Sequence, residues 1–335
     1  MTPTTAGAGL ALPVLDAGLD ARLRSGLALV EERLEREIRS EAPFVTTAAR
    51  HLLHAGGKRF RPALTLLCAE AGDASLPGVL TSACVVELTH LASLYHDDVM
   101  DEAELRRGAE SANARWDNHV AILTGDFLFS KSSELTATLG ADAVRIQAET
   151  FTRLVEGQIL ETLTPGPTED ALEHYLRVVR GKTGSLISTA ARYGARFAGA
   201  SPEVEAALTT YGARVGVAFQ LSDDILDIGS DFEESGKTPG TDLREGVPTL
   251  PVLMAARSKA PEDARLRSLL ASDLGDDGRH AEALALLRVH PAMDEARAYV
   301  LRIATQAQEV LAVLPAGPLR EALDAFAVLI ATRTA

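Results

Sequence analysis

The chain has 335 residues, 46% of them hydrophobic and 24% charged, so it can bury a sizeable core and is not a disordered polyelectrolyte. A net charge of −14 argues against nucleic acid as a partner and against a surface that clings to anionic lipid. The two cysteines, Cys68 and Cys84, both lie in apolar helix-like runs and point to buried thiols in a reducing compartment, not to a disulfide framework.

At the start, MTPTTAGAGLALPVL has no basic flank before its short apolar stretch and is expected to be frayed tail (residues 1–20), not a signal peptide. Apolar residues then recur at three- and four-residue spacing over 23–38, 62–71, 79–107, 119–139 and 143–163, which predicts helices. Further periodic runs follow at 169–180, 185–198, 202–228 and 248–257, and 280–332 holds two or three more. Ser201-Pro202-Glu203 sets a cap, a first-turn proline and a first-turn acid in order. Breaks fall at GDASLPG (72–78), TPGPTED (164–170) and SGKTPGTDLREG (235–246). Strict alternation of apolar and polar residues is almost absent, and no run reaches the roughly 18 uninterrupted apolar residues that span a bilayer. The expected architecture is all-α, a single helical domain over 21–335 in a cytoplasmic protein.

HDDVMD (96–101) and SDDILD (222–227) write Asp-Asp-x-x-Asp twice, each after an apolar run. On a helix Asp97, Asp98 and Asp101 crowd one face, and Asp223, Asp224 and Asp227 repeat the design. His90 stands seven residues before Asp97, and Gln220 seven before Asp227. Two such faces could look at each other across a cavity. A solvated acidic helix end explains one such motif adequately, but two behind buried runs only poorly. Hard divalent cations suit them better, since magnesium takes oxygen ligands and is usually held by one or two carboxylates plus substrate phosphates.

The basic residues supply the complement. In LLHAGGKRFRP (52–62), Gly56-Gly57 can end one helix and Pro62 can open the next, with Lys58, Arg59 and Arg61 beside glycine backbone able to turn N–H groups toward an anion. Arg106, Arg107 and Gly108 follow the first acidic motif, RGKTGS (180–185) offers Lys182 and Thr183, and SGKTPGTD (235–242) offers Lys237. A lone GKT is most often a solvated loop. In an acidic chain, however, the gathering of cations beside glycines and aspartates fits a diphosphate site with magnesium between like charges.

GGKRFRP, HDDVMDEAELRRG, GKTGS, FQLSDDILD and GKTPGTDLREGVPTLP stand in the order found in the trans-isoprenyl diphosphate synthases, or polyprenyl synthetases, which the chain resembles over roughly residues 30–330. The resemblance implies an all-helical bundle around a deep central cavity, a homodimer, and Mg²⁺-dependent chain elongation from isopentenyl diphosphate and an allylic diphosphate, with transient membrane contact for product release. It makes Asp97, Asp101 and Asp223 the leading magnesium ligands, with Asp98, Asp224 and Asp227 completing the two faces. Lys58, Arg61, His90 and Arg107 match the site for isopentenyl diphosphate, the nucleophile. Arg106, Lys182, Thr183, Gln220 and Lys237 match the site for the allylic diphosphate, and Asp97, Asp101, Asp223 and Lys182 are expected to carry catalysis. Thr241 departs from the pattern, since many relatives carry a second lysine there.

Ala92, five residues before Asp97, stands where relatives with short products commonly carry a bulky aromatic. A long all-trans polyprenyl diphosphate is therefore expected, with a geranylgeranyl or farnesyl product as the alternative. A terpene cyclase resembles the chain at the first motif only. A non-catalytic regulatory subunit would have lost aspartates or basic residues that are retained here.

Overall fold

The computed structural model describes residues 13–229 and 239–333, and the expected all-α architecture is what it has. In chain order the helices are α1 (Ala17–Glu37), α2 (Pro43–His54), α3 (Phe60–Ala69), α4 (Pro77–Met100), α5 (Ala112–Arg115), α6 (Asn118–Thr138) and α7 (Ala141–Glu161). There follow α8 (Ala171–Val179), a π-helical turn (Arg180–Gly184), α9 (Ser185–Phe197), α10 (Pro202–Gly229), α11 (Thr241–Arg244) and α12 (Leu250–Ala256). Last come α13 (Ala264–Leu270), α14 (Asp277–Arg288), α15 (Pro291–Glu309) and α16 (Pro318–Thr332). Strands β1 (Leu105–Arg106) and β2 (Ala109–Glu110) form one antiparallel hairpin. Lys237 lies outside the described residues.

The chain divides into two compact units. The first comprises Met1–Phe151, Leu186–Thr209 and Val313–Ala322, and the second Thr152–Ser185, Thr210–Ala312 and Leu323–Ala335.

In the first unit, Asp16 starts α1 by accepting from Leu19 N at 2.7 Å, so helix begins inside the stretch expected to be tail. Helix α2 has a face of small and apolar residues, Ala48, Ala49, Leu52 and Leu53, too alanine-rich to register as a periodic run. By length and composition α4 could cross a membrane, but 72% of its most apolar window is buried, and it is the core helix of this unit. Tyr95 ties it to α2, its hydroxyl donating to Ala48 O at 2.5 Å and accepting from Leu52 N at 3.2 Å. Helix α6 lies directly against it at Gly125, where a Cβ would stand 2.3 Å from the His96 ring and 3.1 Å from Ala92 O.

The helix expected over 79–107 stops at Met100. Glu102 takes φ 48°, Ala103 N bonds to Asp98 O at 2.9 Å and Glu102 N to Val99 O at 3.4 Å, the hydrogen-bond pattern of a Schellman end. That motif normally advertises itself with glycine. Here glutamate fills the left-handed position, so the sequence carried no stop signal. The chain then reverses through the hairpin, with Arg107 (φ 56°) and Gly108 (φ 78°) as the two turn residues of a type I′ turn.

The stretch 280–332 resolves into α14, α15 and α16. Helix α10 begins at the predicted Ser201-Pro202 start, with Ser201 Oγ accepting from Val204 N at 3.3 Å. Within the second unit α10 is bound to α16 through Tyr211 Oη to Leu323 O at 2.7 Å and Ser222 Oγ to Ile330 O at 3.1 Å. Both cysteines are buried free thiols, and burial pushes the Cys84 thiol up to about 12.

Candidate functional site

The first unit gathers its predicted residues around the ends of α2, α3 and α4. Gly56 and Gly57, at φ 95° and 142°, turn the chain out of α2. Lys58 is exposed just beyond. Arg61, on the first turn of α3, is half-buried, and its Nε is a buried donor with no hydrogen-bond partner. Burial pushes the Arg61 guanidinium down to about 10, against the pull of Glu87; Arg107 lowers it further and Asp97 raises it. Arg107 bends back from the hairpin turn to donate Nη1 to Leu52 O at 3.1 Å and to Gly56 O. His90, half-buried, is held well below its ordinary pKa of 6.5 by burial and then by Arg61, Arg107, Arg59 and Arg106, so it is neutral at pH 7. The hairpin returns Arg106 over the end of α4, where its Nε donates to Asp98 Oδ1 at 2.5 Å while Nη2 lies 3.9 Å from Asp101. Asp98 is fully buried, and burial raises its carboxyl pKa in spite of Arg106. Asp97 is half-buried and Asp101 exposed.

In the second unit, the GKT motif forms the π-helical turn. Such turns carry one extra residue and recur at functional sites. Gly157 of α7 allows it to lie close, for a Cβ there would stand 2.4 Å from Lys182 N. Lys182 Nζ pairs with Glu161 at 2.5 Å. Thr183 Oγ1 donates to Gln220 Oε1 at 2.9 Å, Gln220 Nε2 donates to Asp224 Oδ1 at 3.0 Å, and Tyr175 Oη donates to Asp224 Oδ2. Burial pushes the Asp224 carboxyl up to about 7, against the lowering effect of the Tyr175 and Gln220 hydrogen bonds. Asp223 is half-exposed and pairs with Arg333 at 2.7 Å. Asp227 accepts from Thr241 N and Asp242 N, each at 3.2 Å, and so sits at the N-terminal end of α11.

Both acidic motifs therefore present only carboxylate oxygen, the donor type magnesium prefers, and Asp98 Oδ2 is a buried oxygen without a hydrogen-bond partner. Among the described residues, no three His, Cys, Asp or Glu side chains converge tightly enough to hold an ion by themselves.

Three side-chain partnerships escape the sequence. Arg59, inside the basic motif, is 9% exposed and bound to Glu31 and Glu87. Tyr175 and Arg333 fasten the second acidic motif from 49 and 110 residues away. Only a tyrosine on a strongly amphipathic helix and an arginine near the C-terminus were visible beforehand.

Residues 42–287 match the polyprenyl synthetase family. The chain is 49% identical to the nonaprenyl diphosphate synthase of Mycobacterium tuberculosis over 97% of each chain. Among solved structures it is similar to a geranylgeranyl pyrophosphate synthase of Corynebacterium glutamicum complexed with calcium and isoprenyl diphosphate, at TM-score 0.86 and 47% identity, covering 96% of this chain and 99% of that one. A decaprenyl diphosphate synthase from Rhodobacter capsulatus matches at TM-score 0.86 and 36% identity, covering 95% and 99%.

Proposed function

The chain belongs to the polyprenyl synthetase family, and from that premise we propose that it is a trans-prenyltransferase condensing isopentenyl diphosphate with an allylic diphosphate into a long-chain all-trans polyprenyl diphosphate. The observation that carries the site is the cluster in the first unit: Arg61 with its unpartnered buried Nε, acted on by Arg107 and Asp97, neutral His90 in the field of the same arginines, and exposed Lys58 three residues before Arg61.

Lys58, Arg61 and Arg107 hold the diphosphate of isopentenyl diphosphate, and His90 adds a neutral N–H donor. Lys182, Thr183 and Gln220 bind the allylic diphosphate, with Lys237 from the glycine-rich loop and Arg106, whose guanidinium Asp98 keeps in place. Asp97 on α4 and Asp101 just past its end, and Asp223 and Asp227 on α10, hold Mg²⁺, while Asp98 and Asp224 complete the two faces from inside the protein. Magnesium, when bound, supplies positive charge to the departing diphosphate. The cationic side chains add to that stabilisation where charge develops, so the allylic C–O bond ionises. The double bond of isopentenyl diphosphate then attacks the allylic cation, and the released diphosphate takes the proton that is lost. The residue set contains no side chain that must act as nucleophile.

Long product length is supported by fully buried Ala92, too small to floor a cavity, and by the nonaprenyl relative. The likeness to a geranylgeranyl synthase favours a shorter product as the second reading. Incubating the protein with magnesium, isopentenyl diphosphate and a series of allylic primers, then sizing the products, decides between them; no consumption of isopentenyl diphosphate would refute both. We read 21–335 as one cytoplasmic polyprenyl synthetase domain that pairs as a homodimer. Ile122 and Leu123 of α6 and Val144 of α7 leave apolar surface exposed, and a monomer in light scattering would refute the pairing.

A further inference from the structure

Glu87 belongs to none of the motifs, yet it is 2% exposed on α4, three residues before His90. A buried carboxylate needs compensation, and here the partner is Arg59, whose Nη1 donates to Glu87 Oε1 at 3.1 Å. Arg59 uses every donor it has. Nε and Nη2 reach Glu31, Nη2 also reaches Leu53 O at 2.9 Å, and Nη1 reaches Gly56 O at 3.3 Å besides Glu87. Nothing of Arg59 is left for a substrate. Its effect is to lash the end of α2 and the Gly56-Gly57 turn to α1 and α4, and Arg107 grips the same Gly56 carbonyl from the hairpin.

The surrounding charge shows why an acid stands at this point of α4. Arg59, Arg61, Arg106 and Arg107 crowd one end of the unit. Glu87 is the strongest negative influence on both Arg61 and Arg107, ahead of Asp97 for the former and Asp98 for the latter. Without it, Arg61 and Arg107 would lose the acid that most offsets the repulsion of their neighbouring guanidinium groups.

We propose that Glu87 is a positioning residue for isopentenyl diphosphate: by holding Arg59, and through it the Gly56-Gly57 turn, it sets where Lys58, Arg61 and Arg107 present their charge. The inference rests on the assignment of that cluster to isopentenyl diphosphate. Its sign separates it from simple charge counting. Were net charge all that mattered, neutralising a buried acid would tighten diphosphate binding; positioning requires that binding weaken.

The test is steady-state kinetics on the full chain with magnesium, varying isopentenyl diphosphate at saturating allylic primer and then the reverse. Glu87→Gln keeps the shape and removes the charge. It should raise KM for isopentenyl diphosphate roughly tenfold to a hundredfold, the range for a lost hydrogen bond between charged groups, while KM for the primer stays within about twofold. Arg59→Gln should reproduce this, and the double variant should be no worse than either single, because the two act as one unit. An unchanged or lower KM for isopentenyl diphosphate in Glu87→Gln, or an equal rise for both substrates, overturns the proposal. If Glu87→Gln fails to fold, Glu87→Gln with Arg59→Gln removes both buried charges and is measured instead; failure of that variant to fold, or a wild-type KM, likewise overturns it. Arg61→Gln is the reference. Should it leave KM for isopentenyl diphosphate unchanged, the assignment of the cluster is wrong; should it raise KM while Glu87→Gln does not, only the positioning role falls.

Discussion

His90 gives the basic cluster a thermodynamic signature. Burial first, and then Arg61, Arg107, Arg59 and Arg106, hold it well below 6.5, so the folded protein keeps it neutral while the unfolded chain takes up a proton below that value. A depressed pKa means that the stability is fully present above about 6.5 and is lost as pH falls below it. For a histidine that stays neutral in the fold, the loss is about 0.4 kcal/mol at pH 6.5 and about 1.4 kcal/mol at pH 5.5. Urea unfolding of wild type and His90→Gln between pH 7.5 and 5.5 should therefore differ in pH dependence by at most about 1.4 kcal/mol, the variant being the less sensitive. A bound diphosphate offsets the arginine field, so titration of the ring by NMR should show the His90 pKa rising when inorganic diphosphate is added. A ring titrating at or above 6.5 in the free protein, or a variant with wild-type pH dependence, would refute the description of the cluster as desolvated and cationic.

Asp97→Ala or Asp223→Ala should lower turnover by several orders of magnitude with unchanged far-ultraviolet circular dichroism, and a chelator should do the same to wild type; a variant within about tenfold of wild type would sink the metal assignment. Lys58→Ala should chiefly raise KM for isopentenyl diphosphate and Lys182→Ala KM for the primer, so equal effects on both substrates would undo the division of sites. Ala92→Phe should shorten the product in chromatographic sizing. A long product left unchanged would show that Ala92 does not line the path of the growing chain.

Helix content and the order of the motifs were legible because both are local. Three-and-four spacing marks helices, and the cap at Ser201 lies next to what it caps, whereas the Asp16 cap of α1 fell in a stretch read as tail. The missed features depend on distance or on an unusual residue in a usual role. The end of α4 was invisible because Glu102 occupies a left-handed position normally given to glycine. The saturation of Arg59 needed Glu31 and Glu87, each 28 residues away, and no local pattern separates it from Lys58 and Arg61 in the same hexapeptide. Likewise nothing in RGKTGS announces a π-helical turn, at which Gly157 and Gly181 let α7 and the turn touch backbone to backbone.

The two acidic motifs show what their spacing does physically. The three aspartates of Asp-Asp-x-x-Asp do not crowd one face as expected: successive residues on a helix are rotated by about 100°, so the first and last stay within about 40° of each other while the middle one stands about 100° from the first. Where the first faces outward, the middle one has to point into the protein, and so it does in both: Asp98 is 0% and Asp224 4% exposed, while Asp97 and Asp223 are half-buried. A buried carboxylate requires a donor, and the chain provides different ones, Arg106 from the hairpin for Asp98, and Tyr175 with Gln220 for Asp224. The inward acid thus ties the helix to the segment carrying a proposed diphosphate-binding residue, Arg106 in one unit and Thr183, through Gln220, in the other. Asparagine at either middle position keeps the size but loses the charge. The middle aspartate anchors the helix, while the outer two are the ones proposed to hold the cation.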